Sequence, residues 1–319
     1  MHIIKNELHV GAERPFTVLH MTDTHLTCTD AQDSEARRQL ARDRRRMCPD
    51  AEEELAFVRE HVAQTGATLV HTGDLVDFLT PENLRVAERF AKDTGLWMVA
   101  GNHEIHRCPN NVFCEVDFTE DLRCQEDILG GVQSHFHNDI RFFYHTIHGV
   151  SLVGIYDGDY QIRAEQLAAL KEIVAQGRPI LLFMHIPLFC EELLTVRSDC
   201  MLATPQDIVD TYPPFRQFEQ GANETTRAAW AYIMEQDLIE CVISGHITPA
   251  SRRSTRARKS SSSQGSGRFG RSRSRDMKKN TASPLRRGCG FGFVDFIVAL
   301  PEQSYGHHYI PGRHFSQQG

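Results

Sequence analysis

The sequence predicts an α/β fold, and three observations support this prediction. Short apolar runs alternate with amphipathic stretches through the first 245 residues, which is the pattern of βαβ units. Most of the apolar runs are too continuous for a half-exposed strand, so they predict a central sheet covered on both faces. A chain of 319 residues, 40% of them hydrophobic, can also bury a sizeable core, as one large domain or two smaller ones.

Six apolar runs are predicted to form strands. They lie at residues 16–21, 68–72, 96–100, 150–156, 180–184 and 240–244. The stretch FFYHTIHGVSLVGIY predicts a β-hairpin that turns near His148 and Gly149. A hairpin at this point favours a sheet that is partly antiparallel.

Four helices are predicted between these strands, at residues 51–64, at 81–94, at 164–176 and from 223 onward. Pro81 is suited to the first turn of a helix, and Asn223 is suited to the N-cap. Gly66 and Gly95 are suited to the position that follows the last turn. Three further segments lack helical periodicity, and we expect long loops there, of the kind that form lids or substrate-binding insertions: 27–49, 105–138 and 186–222.

Charge is distributed unevenly along the chain. The formal net charge is −7, yet residues 249–288 hold 13 Lys and Arg residues against one acidic residue, Asp276. The rest of the chain therefore carries 22 basic and 41 acidic residues. An acidic body of this kind suits bound metal cations better than a nucleic-acid backbone.

The N-terminal segment and the cysteines bear on the cellular compartment. MHIIKNELHVGAERPF lacks an apolar core, so it predicts neither a signal peptide nor a membrane anchor, and no run approaches the ~18–20 apolar residues that cross a bilayer. Nine cysteines without a CxxC pair favour a reduced, cytoplasmic setting. A zinc site is conceivable in one stretch, but the spacing there is too loose: Cys108, Cys114 and Cys124, with His106 nearby.

The residues with chemical potential follow the predicted strands. In chain order they are Asp23, His25, Asp74, Asn102, His103, His185 and His246. Because loops at the strand ends of an α/β sheet gather side chains into one crevice, we expect these residues to meet at one rim. A single such residue is more often an ordinary loop residue, but five strand ends that each carry one favour a common site. Carboxylates combined with neutral imidazoles suit Mn, Fe, Zn or Co.

Four further residues near these strand ends allow other interpretations. His20 and His71 lie inside predicted strands, and we expect them to be packed core histidines. Asp77 and Glu104 are either outer partners of the predicted site or solvated and helix-capping residues, and the sequence leaves both interpretations open.

These motifs together resemble those of the calcineurin-like metallophosphoesterase family over roughly residues 16–246. They are Asp-x-His at 23–25, Gly-Asp-x-x-Asp at 73–77, Gly-Asn-His-Glu at 101–104, a strand-end His at 185 and Gly-His at 245–246. The resemblance implies a four-layer sandwich in which two mixed β-sheets are flanked by helices. It also implies metal-dependent hydrolysis of phosphomonoesters or phosphodiesters.

The resemblance further implies a role for each matching residue. Six would be metal ligands: Asp23 and His25 for the first ion, Asp74 as a bridge between both, and Asn102, His185 and His246 for the second. His103 would lie outside the metals and protonate the leaving oxygen. The implied cofactors are two divalent transition metal ions (Mn, Fe, Zn or Co), which neutralise charge on the phosphoryl oxygens and lower the pKa of a coordinated water. The implied partner is a small-molecule or macromolecular phosphate ester, without a membrane.

The sequence departs from the family pattern at one position. The family's last motif is Gly-His-x-His, whose second His would complete the first metal site, and that position holds Thr248 here. With Asp23, His25 and Asp74 alone, the first ion would bind weakly. Nothing in the spacing requires a downstream histidine to substitute, although three are present: His307, His308 and His314.

The sequence predicts three segments: a catalytic domain at 1–248, a basic Arg/Ser/Gly-rich segment at 249–288, and a C-terminal segment at 289–319. Residues 247–319 have three interpretations. In the first, they are a disordered basic tail that binds nucleic acid through 252–287, where Phe269 is the only aromatic residue. In the second, they have degenerated naturally, which leaves a phosphate-binding pseudoenzyme. In the third, they are the product of a frameshift. Loss of one base ahead of a His codon would convert Gly-His-x-His into Gly-His-Ile-Thr. Residues 290–300 look like a strand, with no indication that it belongs to the fold.

Overall fold

The computed structural model describes residues 3–46, 48–105, 122–188, 222–246, 280–282 and 293–299, the last two ranges and 122–126 as backbone alone. Two mixed β-sheets form the centre of the molecule. The first sheet has the order β1-β10-β2-β3-β4, with β1 Ile3–His9, β2 Phe16–Met21, β3 Thr68–His71, β4 Trp97–Met98 and β10 Phe293–Ala299. The second has the order β5-β6-β7-β8-β9, with β5 Phe142–Ile147, β6 Val150–Ile155, β7 Ile180–Met184, β8 Ile239–Ser244 and β9 Asn280–Ala282.

Helices flank the sheets. They are α1 Glu35–Arg45, α2 Ala51–Thr65, α3 Pro81–Thr94, α4 Leu122–Gln133, α5 Ala164–Val174 and α6 Glu224–Glu235. The predicted ends are confirmed: Pro81 lies in the first turn of α3, and the Asn223 side chain caps α6 by accepting a hydrogen bond from the backbone N–H of Thr226. Gly66 and Gly95 follow α2 and α3 in the left-handed conformation that ends a helix.

Three apolar layers hold the sheets and helices together. Between the two sheets, side chains such as Val18 and Val70 pack against Leu181 and Phe183. The alternate residues of the same strands face outward: the first sheet packs against α2 and α3, and the second against α5 and α6. The inner strands of each sheet, such as β2, β6 and β7, are therefore buried on both faces, which explains their continuous apolar runs in the sequence. The resulting order is helix, sheet, sheet, helix, so the predicted sandwich is confirmed and the single central sheet is wrong.

All six predicted strands exist, as does the hairpin, whose turn residues His148 and Gly149 have φ of 47° and 80°. The expectation of continuous loops is wrong at 27–49, which contains α1, and at 105–138, which contains α4. Helix α1 was hidden because Ala41 is its one buried side chain, so it carries no apolar stripe. Strand β1 was also not predicted. Residues 189–221 of the third expected loop lie outside the described residues.

Strand β10 comes from the C-terminal segment whose structure the sequence left open. It pairs in parallel with β1, from Ile3 opposite Phe293 to His9 opposite Ala299, and antiparallel with β2. The first sheet thus includes a strand from beyond residue 248, while the predicted boundary between segments stays a prediction. None of the described helices combines the length and the apolar character that a membrane span requires.

Candidate metal centre

The predicted site residues meet where strands of both sheets end. Asp23 and His25 follow β2, Asp74 follows β3, and Asn102 and His103 lie beyond β4, all in the first sheet. His185 and His246 follow β7 and β8 in the second sheet. The expectation of one rim is confirmed, but two sheets contribute to it, because the strand ends of both sheets of the sandwich point to the same edge.

Several of these residues have an unusual backbone conformation. Asp23, His25, Asp74 and His246 have φ of 53°, 52°, 58° and 64°. Such left-handed values are uncommon for residues other than glycine, and they cluster at functional sites where the surrounding structure compensates for the strain. The tight turns at these strand ends therefore aim side chains at a common point.

Glycines in the same motifs make room for the close approach of neighbouring loops. A Cβ atom on Gly101 would overlap Oδ1 of Asp74, and a Cβ atom on Gly245 would overlap Oγ1 of Thr22. Only a hydrogen at these positions lets the motif loops pack closely enough for their ligands to meet.

Four potential metal-ligand atoms converge at one point: Nε2 of His185 and one atom each of Asn102, Asp74 and His246. Nε2 of His185 lies 2.9 Å from Oδ1 of Asn102, 3.2 Å from Oδ2 of Asp74 and 3.2 Å from Nδ1 of His246. Nδ1 of His185 lies 2.7 Å from the carbonyl oxygen of Thr72, so Nδ1 carries a hydrogen and Nε2 of the neutral ring has a lone pair. With a neutral His185 ring, lone pairs would face one another at these distances, so the position suits a positive charge, either a proton on Nε2 or a metal cation, and this set of ligand atoms fits a divalent transition metal.

The electrostatics of His185 and His246 follow from the same convergence. Burial lowers the pKa of His185, but the carboxylates of Asp74, Asp23 and Asp157 outweigh burial and raise it to about 10. Burial, with a further contribution from His185, lowers the pKa of His246 to about 3. One imidazole therefore holds a positive charge at the position that suits a metal cation, and the other stays neutral.

A second set of donor atoms surrounds His25. Its Nε2 lies 3.9 Å from Oδ1 of Asp23 and 3.8 Å from Oδ2 of Asp74. Its Nδ1 lies 3.0 Å from Oδ1 of Asp77, and Arg44 donates two hydrogen bonds to the same carboxylate. Asp77 is therefore an outer partner of the site, one of the two roles that the sequence left open.

His103 lies beside His25, with ring centroids 4.6 Å apart. Its backbone N–H donates to Oδ1 of Asp74 at 2.9 Å, and its Nδ1 lies 2.6 Å from the carbonyl oxygen of Asp77. The Nε2 atom is thereby turned toward Asp74, 4.0 Å from Oδ2. Burial lowers the pKa of His103, and the Asp74 carboxylate opposes this effect. By distance, His103 groups with His25 and Asp74 as a potential metal ligand, so its assignment outside the metals stays a prediction.

Glu104 organises the loops that carry the ligands. Its carboxylate accepts hydrogen bonds from the backbone N–H groups of Asp74, Leu75, Val76 and Gly101, at 2.6 to 3.2 Å. Burial and the nearby Asp74 charge raise the pKa of Glu104 to about 7. It fixes the loop after β3 against the loop after β4, and it is not the solvated residue that the sequence also allowed.

Two residues near the centre were missed in the sequence. The Asp157 carboxylate accepts hydrogen bonds from the backbone N–H groups of His185 and Ile186, both at 3.0 Å, and burial raises the pKa of Asp157 to about 7. The Tyr160 hydroxyl lies 3.4 Å from Nε2 of His246, and Tyr160 has a φ of 64°. Asp157 follows strand β6 closely, so the strand-end rule that found the other residues could have found it.

His20 and His71 are fully buried and hydrogen-bonded, which confirms them as core histidines. Nε2 of His20 lies 2.8 Å from Oγ1 of Thr72, and Nε2 of His71 lies 2.9 Å from Oγ1 of Thr24. Burial lowers the pKa of both histidines to about 3. The remaining sequence candidates lie outside the described side chains: Thr248, His106, Cys108, Cys114, Cys124, His307, His308 and His314.

Comparison with known proteins gives one family match. A family model described as calcineurin-like phosphoesterase matches residues 16–248. No curated protein matches the chain. Among solved structures, phosphopantetheinyl hydrolase (PptH) from Mycobacterium tuberculosis matches with 15% identity and a TM-score of 0.38, over 73% of this chain and 83% of that one. The 5'-nucleotidase from Candida albicans SC5314 matches with 14% identity and a TM-score of 0.32, over 77% of this chain and 43% of that one.

Proposed function

The chain belongs to the calcineurin-like phosphoesterase family, and from this premise we propose that it hydrolyses a phosphate ester at a centre of two divalent transition metal ions. Membership makes it a metal-dependent phosphoesterase, and the proposal adds the number of ions and their ligands. The observation that supports it best is that Asp74 belongs to two groups of potential ligands. One group contains His25 and His103, and the other contains His185 and His246.

The proposed ligands are those that the sequence indicated. Asp23, His25 and Asp74 hold the first ion. Asn102, His185 and His246 hold the second ion together with Asp74, which is therefore a ligand of both. When bound, the two ions would neutralise charge on the phosphoryl group and lower the pKa of an attacking water. Asn102 contributes an uncharged oxygen, so the second site places no extra carboxylate near an incoming phosphate.

His103 is the proposed proton donor to the leaving oxygen. Its Nδ1 faces the carbonyl oxygen of Asp77, so any proton it delivers must come from Nε2. Burial keeps the pKa of His103 below its ordinary value, so the protonated ring is a stronger acid than an ordinary imidazolium toward an alkoxide, while a smaller fraction of it is protonated near neutral pH. Esters with basic leaving groups should depend on this residue most.

The proposed substrates include phosphomonoesters and phosphodiesters, as free small molecules or on macromolecules. The proposed setting is the cytoplasm, which rests on the cysteine pattern and the N-terminal segment. Nucleic-acid binding through 252–287 is not part of the proposal, because that tract has a single aromatic residue for base stacking.

A second candidate function is phosphate binding without turnover. Thr248 favours it, because a threonine at the position of the family's last histidine leaves the first ion with three protein ligands. Both candidates predict an affinity for phosphate, but they differ in metal content and in turnover.

One experiment separates the two functions. Purified protein is reconstituted with Mn²⁺, its metal content is measured, and hydrolysis of p-nitrophenyl phosphate and of bis-p-nitrophenyl phosphate is followed. The proposed function predicts two equivalents of metal and turnover of at least one substrate. One equivalent or none, without turnover in added Mn²⁺, would leave the phosphate-binding function. A panel of natural phosphate esters then identifies the substrate class.

A further inference from the structure

Helix α1 carries five arginines, and one of them differs from the others in its surroundings. Arg37, Arg38, Arg42 and Arg45 have side chains that are 34 to 52% exposed; Arg37 pairs with the buried Asp33, and the other three pair with exposed glutamates. The Arg44 side chain is 17% exposed and points toward the metal centre, where it meets Asp77, which is 3% exposed.

The contact between Arg44 and Asp77 is bidentate. Nε of Arg44 lies 2.5 Å from Oδ2 of Asp77, and Nη2 lies 2.6 Å from Oδ1. A planar guanidinium that bonds both oxygens fixes the rotation as well as the position of a carboxylate, which a lysine ammonium cannot do. The plane of the Asp77 carboxylate is therefore set by a residue 33 positions away on another element.

Asp77 in turn contacts two imidazole rings of the centre. Its Oδ1 accepts a hydrogen bond from Nδ1 of His25 at 3.0 Å, and its carbonyl oxygen lies 2.6 Å from Nδ1 of His103. Because the hydrogen of each neutral ring is held on Nδ1, both rings present Nε2 to the carboxylate of Asp74. The orientation of His25 depends on the carboxylate of Asp77. That of His103 depends mainly on the backbone carbonyl of Asp77, since Oδ1 of Asp77 is farther from its Nδ1, at 3.4 Å.

We propose that Arg44 is a positioning residue of the metal centre, which clamps the Asp77 carboxylate so that Nε2 of His25 faces the first metal ion. This inference rests on the proposed function, since it takes His25 to be a ligand. Arg44 touches neither substrate nor metal in this role. It acts through Asp77, which in turn contacts His25, so Arg44 is the residue of this series that lies farthest from the metal.

A purely structural role for the pair is the competing explanation. Helix α1 buries only Ala41, so ion pairs contribute much of its attachment. A buried ion pair is nonetheless a poor source of stability, because removing both charges from water costs about as much as their attraction returns. The exposed pair of Arg45 with Glu52 also links the helix to α2, without burying a charge. The burial and the bidentate geometry of the Arg44 pair suit orientation instead.

The size of the expected effect follows from other metal sites. Loss of a group that orients a metal-bound histidine typically lowers metal affinity about 10–100-fold. Arg44→Met should therefore weaken one class of Mn²⁺ sites by about this factor and leave the other class nearly unchanged. Arg44→Lys keeps the charge but loses the second hydrogen bond, so its affinity should lie between those of wild type and Arg44→Met.

The test is a Mn²⁺ titration of the full chain, in which electron paramagnetic resonance measures the concentration of free Mn²⁺. Arg45→Met is the matched control, because it removes a neighbouring, exposed arginine from the same helix. We expect the control to bind like wild type. Equal Mn²⁺ affinity in wild type, Arg44→Met and Arg44→Lys would overturn the inference. So would an equal loss in Arg45→Met, which would indicate that the helix, and not the clamp, matters.

A double-mutant cycle shows whether Arg44 acts through Asp77. If it does, Arg44→Met adds no further loss of Mn²⁺ affinity to Asp77→Asn, whereas independent roles would give additive losses and contradict the inference.

A metal-free measurement separates failure of this inference from failure of the proposed function. Ring ¹⁵N shifts of His25, recorded where the ring is neutral, should report a hydrogen on Nδ1 in wild type and a tautomer mixture in Arg44→Met. Unchanged shifts would overturn the inference even if the protein bound no metal.

Discussion

The two halves of the candidate metal centre orient their histidines by different means. In the half that contains His25, the ring is held by the Asp77 carboxylate, which is itself held by Arg44. In the half that contains His185, the ring is held by the backbone carbonyl oxygen of Thr72, at 2.7 Å. One orientation depends on two charged side chains from separate elements, and the other on the backbone at the end of a buried strand.

This difference predicts unequal robustness. No side-chain substitution can remove the Thr72 carbonyl, and β3, which precedes it, is paired on both sides in the sheet. The His25 half loses its orientation when a single arginine changes. In the proposed ligand set, it is also the half whose last family ligand is replaced by Thr248 in the sequence. We therefore expect the His25 half to limit metal occupancy and the His185 half to retain its ion.

The largest effect should come from the residue that both halves share. Asp74→Ala should abolish activity and most metal binding, because Asp74 belongs to both groups of potential ligands. Metal content and hydrolysis of p-nitrophenyl phosphate measure the two losses. Asp93→Ala, which removes an exposed carboxylate of α3, is the control and should behave like wild type. Retention of one full metal equivalent in Asp74→Ala would contradict the expectation that both ions depend on Asp74.

His103→Ala tests the boundary of the His25 half. As a proton donor, His103 should contribute about 10²–10⁴-fold to the rate without holding a metal. The variant should keep its metal, and its loss should be smaller for p-nitrophenyl esters than for alkyl esters, whose leaving groups need the proton. Kinetics with both ester types and metal analysis give the comparison. Loss of metal in this variant would make His103 a ligand.

Thr248→His should repair the weaker half. An added imidazole would give the first ion a fourth protein ligand, so metal occupancy and activity should rise together. Resequencing the coding DNA across codons 245–250 is the first step, because an uninterrupted frame there ends the frameshift interpretation. If occupancy and rate stay unchanged in Thr248→His, position 248 is not the missing ligand.

Proton release should accompany binding in the His185 half. Burial lowers the pKa of His185, but Asp74, Asp23 and Asp157 raise it to about 10, so the metal-free ring is protonated at neutral pH. Metal must displace that proton. Metal affinity should therefore rise with pH up to the pKa of His185, and should fall about tenfold for each pH unit below that pKa. Calorimetry in buffers of different ionisation enthalpy should report about one proton released. Affinity independent of pH between 7 and 9 would contradict this.

The smallest effect should come from Tyr160→Phe. The hydroxyl lies 3.4 Å from Nε2 of His246, which is long for a hydrogen bond, so its loss should cost less than the ~1 kcal/mol of an ordinary one. We expect a change in Mn²⁺ affinity of a few-fold at most, well below that of Arg44→Met. A Mn²⁺ titration of both variants makes the comparison directly. A larger loss in Tyr160→Phe would reverse the proposed order of the two halves.

The sequence by itself determined the strands and the candidate ligands that follow them. A buried strand shows as a continuous apolar run, and Asp74 or His185 stands at its end, so both features are local in the chain. The same rule applied to Asp157 would have added a residue that holds the backbone of His185. Helix ends at Gly66 and Asn223 were equally readable, because capping involves residues within one turn.

Only the tertiary structure decided which of these residues meet. The packing of two sheets brings His185 within 2.9 Å of Asn102, and strand pairing places β10 between β1 and β2. Helix α1 has no apolar stripe to reveal it, and Arg44 reaches Asp77 across 33 residues. Local patterns record whether a residue is buried, but contacts between distant elements depend on how layers pack. The sequence therefore indicated the proposed ligands, and the packing determined what orients them.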